Sequence, residues 1–218
     1  ALRPLAVLKP AAQLVIAGDH LQMPPIHSLE PPKDAEYLVG SIQTYFVERF
    51  DLRKEELLVN YRSNQDLVDY AKTLGYPSEL KAYTPTKQLY PLVDLNKVIS
   101  SMPSNLPKSG AYGELLIPER RVAALIHEDA VSSQANEFEA KIVAGLAYCI
   151  RNAMAQELFT GQHGSFTSFT DEQFFLEGLG IVTPHKAQKA LVLKELRALF
   201  PNASPESIFD AVDTVERF

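Results

Sequence analysis

The chain has little of what would place it outside a reducing interior. Its 218 residues include one cysteine, Cys149, which excludes an internal disulfide and predicts an intracellular setting, cytoplasmic or nuclear. No apolar run is long enough to cross a bilayer, so no membrane partner is expected. The opening residues Ala1-Leu2-Arg3-Pro4-Leu5 lack the apolar core and cleavage site of a signal peptide. Positive charge is short: 21 Lys and Arg stand against 27 Asp and Glu, a net charge of -6. A dedicated nucleic-acid-binding domain is usually basic, because phosphate neutralisation drives affinity. Any such contact here must come from a few placed groups, backbone amides and helix ends. No Gly-x-Ser-x-Gly turn occurs, which argues against a doubly wound hydrolase with a serine nucleophile. His20, His27, His127 and His163 show no ligand spacing, so no metal site is expected.

Hydrophobic residues make up 46% of the chain, enough for a sizeable core. Residues 1–9 read as the tail of a helix. Leu14-Val15-Ile16 reads as a buried strand within 13–17, and Leu57-Leu58-Val59 as a second. Pro24, Pro25, Pro31 and Pro32 make 23–35 a loop or linker. A helix is expected over 37–50. Ser63 and Asp66 form a capping box, and Leu67, Val68, Ala71 and Leu74 repeat on one helical face before Gly75. Prolines break 76–118 into irregular pieces, with a short strand expected at Glu114–Ile117. Another strand is expected at Val122–Ile126. A long helix is expected over 134–156, with Phe138, Ile142, Leu146 and Cys149 as its apolar stripe. That stripe makes Cys149 a packing residue. Residues 160–173 read as a polar loop. Gly180-Ile181-Val182 reads as a strand. Thr183 and Pro184 then read as N-cap and first position of a helix whose core face holds Val192, Leu196, Leu199 and Phe200. A last strand is expected over Ile208–Val215. This alternation predicts an α/β fold, a mostly parallel sheet with helices on both faces.

Four stretches could carry chemistry. The first is Gly18-Asp19-His20-Leu21-Gln22-Met23-Pro24-Pro25. An acid, an amide and a stiffened loop past a strand end can read the charge on a phosphate, and ligands of α/β sheets bind beyond strand C-termini. The second is Asn60-Tyr61-Arg62-Ser63, where a guanidinium able to fork onto phosphate oxygens lies between a strand end and a helix start. The third is Thr183-Pro184-His185-Lys186-Ala187-Gln188, a helix start whose unpaired N–H groups, with a hydroxyl and an ammonium, could seat a backbone phosphate. The fourth is Val212-Asp213-Thr214-Val215-Glu216-Arg217-Phe218.

In order and on the expected elements, these stretches resemble motif III (GDxxQxPP), the Tyr-Arg of motif IV, the TPxxxQ segment and the start of motif V of superfamily 1B helicases, the group holding Upf-type RNA helicases and nuclease-helicases. The resemblance spans residues 17–218. It implies two RecA-like P-loop NTPase motor domains with ATP and Mg²⁺ between them, moving along single-stranded DNA or RNA. Residues 1–33 would be the last piece of the first motor domain, and 34–218 most of the second, stopping within motif V. By the same resemblance Gln22 would sense the γ-phosphate, and Asp19 would hold the motif III loop or its water. Arg62 would be an arginine finger, a group worth on the order of 10³-fold or more in rate in comparable NTPases. Thr183, Pro184, His185, Lys186 and Thr214 would meet the nucleic-acid backbone. The sequence contains no Gly-x-x-x-x-Gly-Lys-[Ser/Thr], and no Asp-Glu pair precedes Gly18. ATP and Mg²⁺ would therefore be held mainly by other parts of the motor, and these 218 residues alone are expected not to hydrolyse ATP. The alternative is a degenerate RecA-like module that binds protein or nucleic acid without turnover.

Overall fold

A computed structural model of the chain describes residues 9, 13–19, 21–22, 42–50, 55–86, 90–128, 131–132, 134–155 and 170–215. The expected loop at 23–35, residues 160–169 of the expected loop 160–173, residues 1–8 of the expected helix tail 1–9 and the end of the fourth stretch at 216–218 lie outside them; the rest of the 160–173 loop ends in a helical turn, Asp171–Gln173. The chain forms two compact units, Ala1–Pro85 and Thr86–Phe218.

In the first unit, helix α1 (Ile42–Phe50) carries an aromatic cluster, Tyr45 edge-on to Phe46 at 5.5 Å and to Phe50 at 5.9 Å. Strand β1 (Val59–Asn60) pairs in parallel with β2 (Lys81–Ala82), in the register Val59↔Lys81 and Asn60↔Ala82. Parallel strands need a crossover, and α2 (Gln65–Thr73) supplies it. Gln65 ties the crossover to β2: its backbone N–H donates to Pro85 O at 3.2 Å, and its Oε1 accepts from Ala82 N at 3.1 Å. Val68 on α2 and Leu80 before β2 are buried. Gly75 stops the helix with a φ of 107°, a conformation that glycine adopts without strain.

Three expectations in this unit need correction. Asn64, not Ser63, caps α2, its side chain accepting from Leu67 N at 3.0 Å. Ser63 is held one step earlier, its N–H donating to Asn60 Oδ1 at 2.8 Å. The apolar run Leu14-Val15-Ile16 is not in a ladder, and Val15 is 90% exposed. Apolar runs of this kind suit strands covered on both faces, and among the described residues no strand lies beside it. The second run is paired only at Val59–Asn60, and Leu57 is 92% exposed.

The second unit is built on α5 (Glu137–Ala153) packed against α7 (Lys186–Leu199). Asn136 caps α5 by accepting from Glu139 N at 3.0 Å, and Glu137 and Glu139 face the positive end of the helix dipole. The buried side of α5 is rich in small residues, Ala140, Ala144, Gly145, Ala147 and Ala153. Gly145 is obligatory there, since a β-carbon would overlap Tyr112 Oη and come 3.0 Å from Met102 Cε. Cys149 is buried in the same core beside Met102, and burial pushes its thiol up to about 11. Val192, Leu196 and Phe200 bury one side of α7 as expected. Ahead of it, α6 (Asp171–Gln173) starts with a Thr170–Gln173 capping box and widens into a π-helical turn, Phe174–Gly178. Phe174 and Phe175, adjacent in sequence, are both buried there, the second edge-on to Phe200 at 5.0 Å.

Strands β5 (Ile181–Thr183) and β6 (Val212–Thr214) are parallel, in the register Ile181↔Val212, Val182↔Asp213 and Thr183↔Thr214. Short strands β3 (Tyr90–Pro91) and β4 (Met154–Ala155) pair antiparallel. Among the described residues the ladders are thus three two-stranded sheets, two parallel and one antiparallel. Between β3 and α5 lie α3 (Leu95–Ser101) and α4 (Ala111–Leu115). Glu114 and Leu115 of the expected strand at Glu114–Ile117 are therefore the end of a helix, closed by Leu116 N to Tyr112 O at 3.0 Å and anchored by buried Tyr112. The expected strand at Val122–Ile126 carries no ladder, and all five residues are exposed. The expected last strand is shortened to β6, because Ser204 caps and Pro205 opens a helix, α8 (Pro205–Asp210). That is a helix-start pair the strand reading passed over. The α7 helix also begins later than expected, with His185 and not Thr183 at its N-cap.

Candidate functional site

The first site lies within the first unit, where Asn60 organises it. Its side-chain Oδ1 accepts from the backbone N–H of Arg62 at 2.9 Å and of Ser63 at 2.8 Å. An asparagine that binds the backbone two and three residues on makes a turn from its own side chain. The turn lifts the chain off the end of β1, and Asn64 then starts α2. Arg62 is left exposed at the bend. Among the described residues no carboxylate forms an ion pair with its guanidinium.

Asp19 and Gln22 reach the same place from the other stretch. Gln22 N donates to Asp19 O at 3.3 Å and Leu21 N to Asp19 Oδ1 at 3.0 Å, which draws Leu21 and Gln22 back onto Asp19. The Gln22 side chain donates through Nε2 to Asp19 Oδ2 at 3.0 Å. The hydroxyl of Tyr76 donates to that same oxygen at 2.5 Å. This hydrogen bond pushes the Tyr76 phenol above its ordinary pKa, and burial adds to the effect.

Asp19, Gln22, Tyr61, Arg62 and Tyr76 line one cleft of about 670 Å³. That volume lies within the usual range for small-molecule and cofactor sites. Its wall carries an amide, an acid and a free guanidinium, a set able to donate to and accept from a phosphoryl group. The exposed ring of Tyr61, which lines the cleft, lies 4.7 Å centroid to centroid from the exposed ring of Tyr83, tilted by 34°. The three sequence-predicted residues Asp19, Gln22 and Arg62 are thus brought together. Asn60, Tyr76 and Tyr83 were not anticipated. An Asn two residues before a key side chain is an Asx-turn signal, but Tyr76 and Tyr83 carry none that a single sequence reveals.

The second group lies in the second unit. Pro184, His185 and Lys186 are exposed at the start of α7, and the His185 side chain makes no cap hydrogen bond. Thr183 and Thr214 are placed differently. They are 3% and 8% exposed and face each other in register. The Thr183 hydroxyl is within hydrogen-bonding distance of Asp213 O at 3.3 Å and His185 O at 3.5 Å. Asp213 is paired with buried Lys189 at 3.2 Å, whose ammonium also sits 3.9 Å from the centroid of the Phe209 ring. Pro184 and His185 border a pocket of about 250 Å³ that also holds His127, Asn136, Glu139 and Gln188. Buried Gln188 clamps the start of α5: its Oε1 accepts from Asn136 N at 2.6 Å and its Nε2 donates to Asn136 O at 3.2 Å. Glu139 pairs with His127 at 3.0 Å. The Glu139 carboxylate works against a phosphate in this pocket.

Among the described residues no group of three or more His, Cys, Asp or Glu side chains could hold a metal ion, and no helix is long and apolar enough to cross a membrane. Comparison of the chain with protein-family models, with curated proteins and with solved structures finds no match.

Proposed function

We propose that this chain is part of an ATP-dependent helicase or translocase of superfamily 1 type, with the cleft of the first unit reading the terminal phosphate of the nucleotide. One observation carries the reading: Gln22 and Arg62, from separate stretches of sequence, line one cleft, and among the described residues the guanidinium has no acidic partner. Among the described residues Arg62 is therefore not engaged in a surface salt bridge, the ordinary use of an exposed arginine. A free guanidinium beside an amide suits a phosphoryl group, because its planar fork donates to two oxygens at once.

In this reading Arg62 stabilises charge on the transferring phosphoryl group, and Gln22 holds the terminal phosphate or the attacking water. The exposed ring of Tyr61 gives the cleft an apolar wall against which a nucleobase can stack. The magnesium that the resemblance implies would be held by motifs this sequence does not contain. The RecA-like architecture, the single-stranded DNA or RNA track and the contribution of Pro184, His185 and Lys186 to it belong to the same proposal. So does the placement of residues 1–33 and 34–218 on two different motor lobes. On that placement Gln22 and Arg62 meet the phosphate together only when the cleft closes, which couples hydrolysis to lobe movement.

The test is ATP turnover by the full-length protein with single-stranded nucleic acid, with Arg62→Ala as the variant. Near loss of turnover with nucleotide binding retained is the expected result. Unchanged turnover in the variant removes Arg62 from the site. Nucleotide binding without turnover by the full-length protein favours the interaction-module alternative.

A further inference from the structure

We infer that Tyr76 is a positioning residue, which fixes the orientation of Gln22 by holding Asp19. The inference rests on the phosphate-reading proposal and deepens it.

Tyr76 stands just past the end of α2, where Gly75 turns the chain with its φ of 107°. The backbone N–H of Tyr76 still reaches back to Ala71 O at 3.5 Å, and Gly75 N donates to Lys72 O at 3.1 Å. The ring is therefore carried on a well-defined helix end. The Leu21 side chain packs over Gly75, with methyl carbons 3.7 and 3.8 Å from where a β-carbon would stand. This stretch is thus docked on the helix end twice, by Leu21 on Gly75 and by Asp19 on the Tyr76 hydroxyl.

The chemistry of the shared oxygen sets Gln22. An ionised carboxylate only accepts hydrogen bonds. The nitrogen end of the Gln22 amide must therefore face Asp19, as its 3.0 Å contact with Oδ2 shows. That leaves the amide carbonyl oxygen and one N–H for a ligand in the cleft. Leu21 and Gln22 bind Asp19 from within its own stretch, and so move with it. Tyr76 binds it from a distant stretch, and so fixes where the carboxylate stands relative to Arg62. Without the phenol, the carboxylate loses its tether to this helix end, and the direction of the amide is less firmly set. A misplacement on the order of 1 Å in such a group is enough to lower a catalytic rate by up to about a hundredfold.

The experiment measures kcat and KM for nucleotide hydrolysis in the full-length protein for Tyr76→Phe, Asp19→Asn and the double variant, with thermal melting of each. The expected result for Tyr76→Phe is a kcat lowered about tenfold, with KM within about twofold and an unchanged melting temperature. The double variant should lose no more than Asp19→Asn alone, because both act through one contact. Should Tyr76→Phe fail to fold, Asp19→Asn carries the test: a lowered kcat at constant KM supports the inference, and an unchanged kcat overturns it. A Tyr76→Phe enzyme with wild-type kcat, or losses that multiply in the double variant, overturns the inference while leaving the motor reading intact. A wild-type protein without turnover overturns both.

Discussion

The side chain of Asn60 holds the backbone of Arg62, accepting its N–H at 2.9 Å. The same oxygen takes the N–H of Ser63, so one side chain shapes the whole bend between β1 and α2. Asn60→Ala frees both N–H groups and lets the bend open. The expected cost is about 1 kcal/mol of stability, since these groups lie near solvent and can turn to water. If Arg62 reads a phosphate as proposed, the larger effect should be on nucleotide turnover, through the lost direction of Arg62. Asn60→Asp keeps the acceptor oxygen and should retain most of the turnover. Parallel measurement of melting temperature and ATPase rate in the full-length protein separates the two effects.

The close approach of Tyr112 to Gly145 gives a test of the second unit's core. Tyr112 Oη is buried without a hydrogen-bond partner, and burial pushes the phenol up to about 12. Gly145→Ala adds a methyl group that overlaps this oxygen, and overpacking of this kind costs roughly 1–3 kcal/mol. Tyr112→Phe removes an unsatisfied polar atom and should be neutral or stabilising. It should also recover part of the Gly145→Ala loss, because the oxygen that clashes is gone. Urea denaturation of the two single variants and the double variant measures this coupling; strict additivity would refute the packing argument.

Glu172 gives the fold a pH dependence. Its carboxylate accepts from Ser204 N at 2.7 Å, Ser204 Oγ at 2.8 Å and Ser207 Oγ at 3.1 Å. The backbone hydrogen bond from Ser204, followed by that from its hydroxyl, holds the carboxyl below its ordinary pKa. A carboxylate with a lowered folded-state pKa contributes stability above its unfolded value and loses it as pH falls through the folded one. Melting temperature should therefore fall on acidification below about pH 4.5, the usual glutamate range, as the α8 cap is lost. Glu172→Gln should be less stable at neutral pH and show a shallower decline. An identical acid profile in the variant would remove Glu172 from this role.

Much of this fold could be read from sequence where a pattern was local. The α5 helix, its buried Cys149, the core face of α7 and the Gly75 stop follow from periodicity and turn chemistry acting within a few residues, although Phe138 of the expected α5 stripe is 49% exposed. The misread segments are those whose state depends on a distant partner. Leu14-Val15-Ile16 has the composition of a buried strand but no ladder among the described residues. Glu114–Ile117 has an equally apolar composition, and its first two residues become the end of a helix because Tyr112 anchors it. Cap positions slipped by one or two residues at α2 and α7, since Ser63-Asn64 and Thr183-Pro184-His185 each offer competing starts. In the site, Asp19, Gln22 and Arg62 are the residues that sequence chemistry singles out, and they line one cleft. Tyr76 is not singled out, because its role depends on meeting Asp19 across a long stretch of chain.

The start of α7 separates two roles that the resemblance had joined. Pro184, His185 and Lys186 are exposed, whereas Thr183 and Thr214 are buried opposite each other. If the exposed edge meets a nucleic-acid backbone, Lys186→Ala should weaken binding of single strands and reduce the salt slope of log K by about one. Thr183→Val and Thr214→Val should act on the fold. The Thr183 hydroxyl lies within reach of Asp213 O and His185 O, and valine leaves those carbonyls without it. The expected loss is about 1 kcal/mol of stability for Thr183→Val, with the salt slope unchanged. Fluorescence anisotropy with a labelled oligonucleotide across a salt series, read beside thermal melting, distinguishes the two. A Thr183→Val protein of normal stability whose salt slope drops would show that the hydroxyl turns outward on binding. A Lys186→Ala protein with an unaltered slope would remove this edge from the nucleic-acid path.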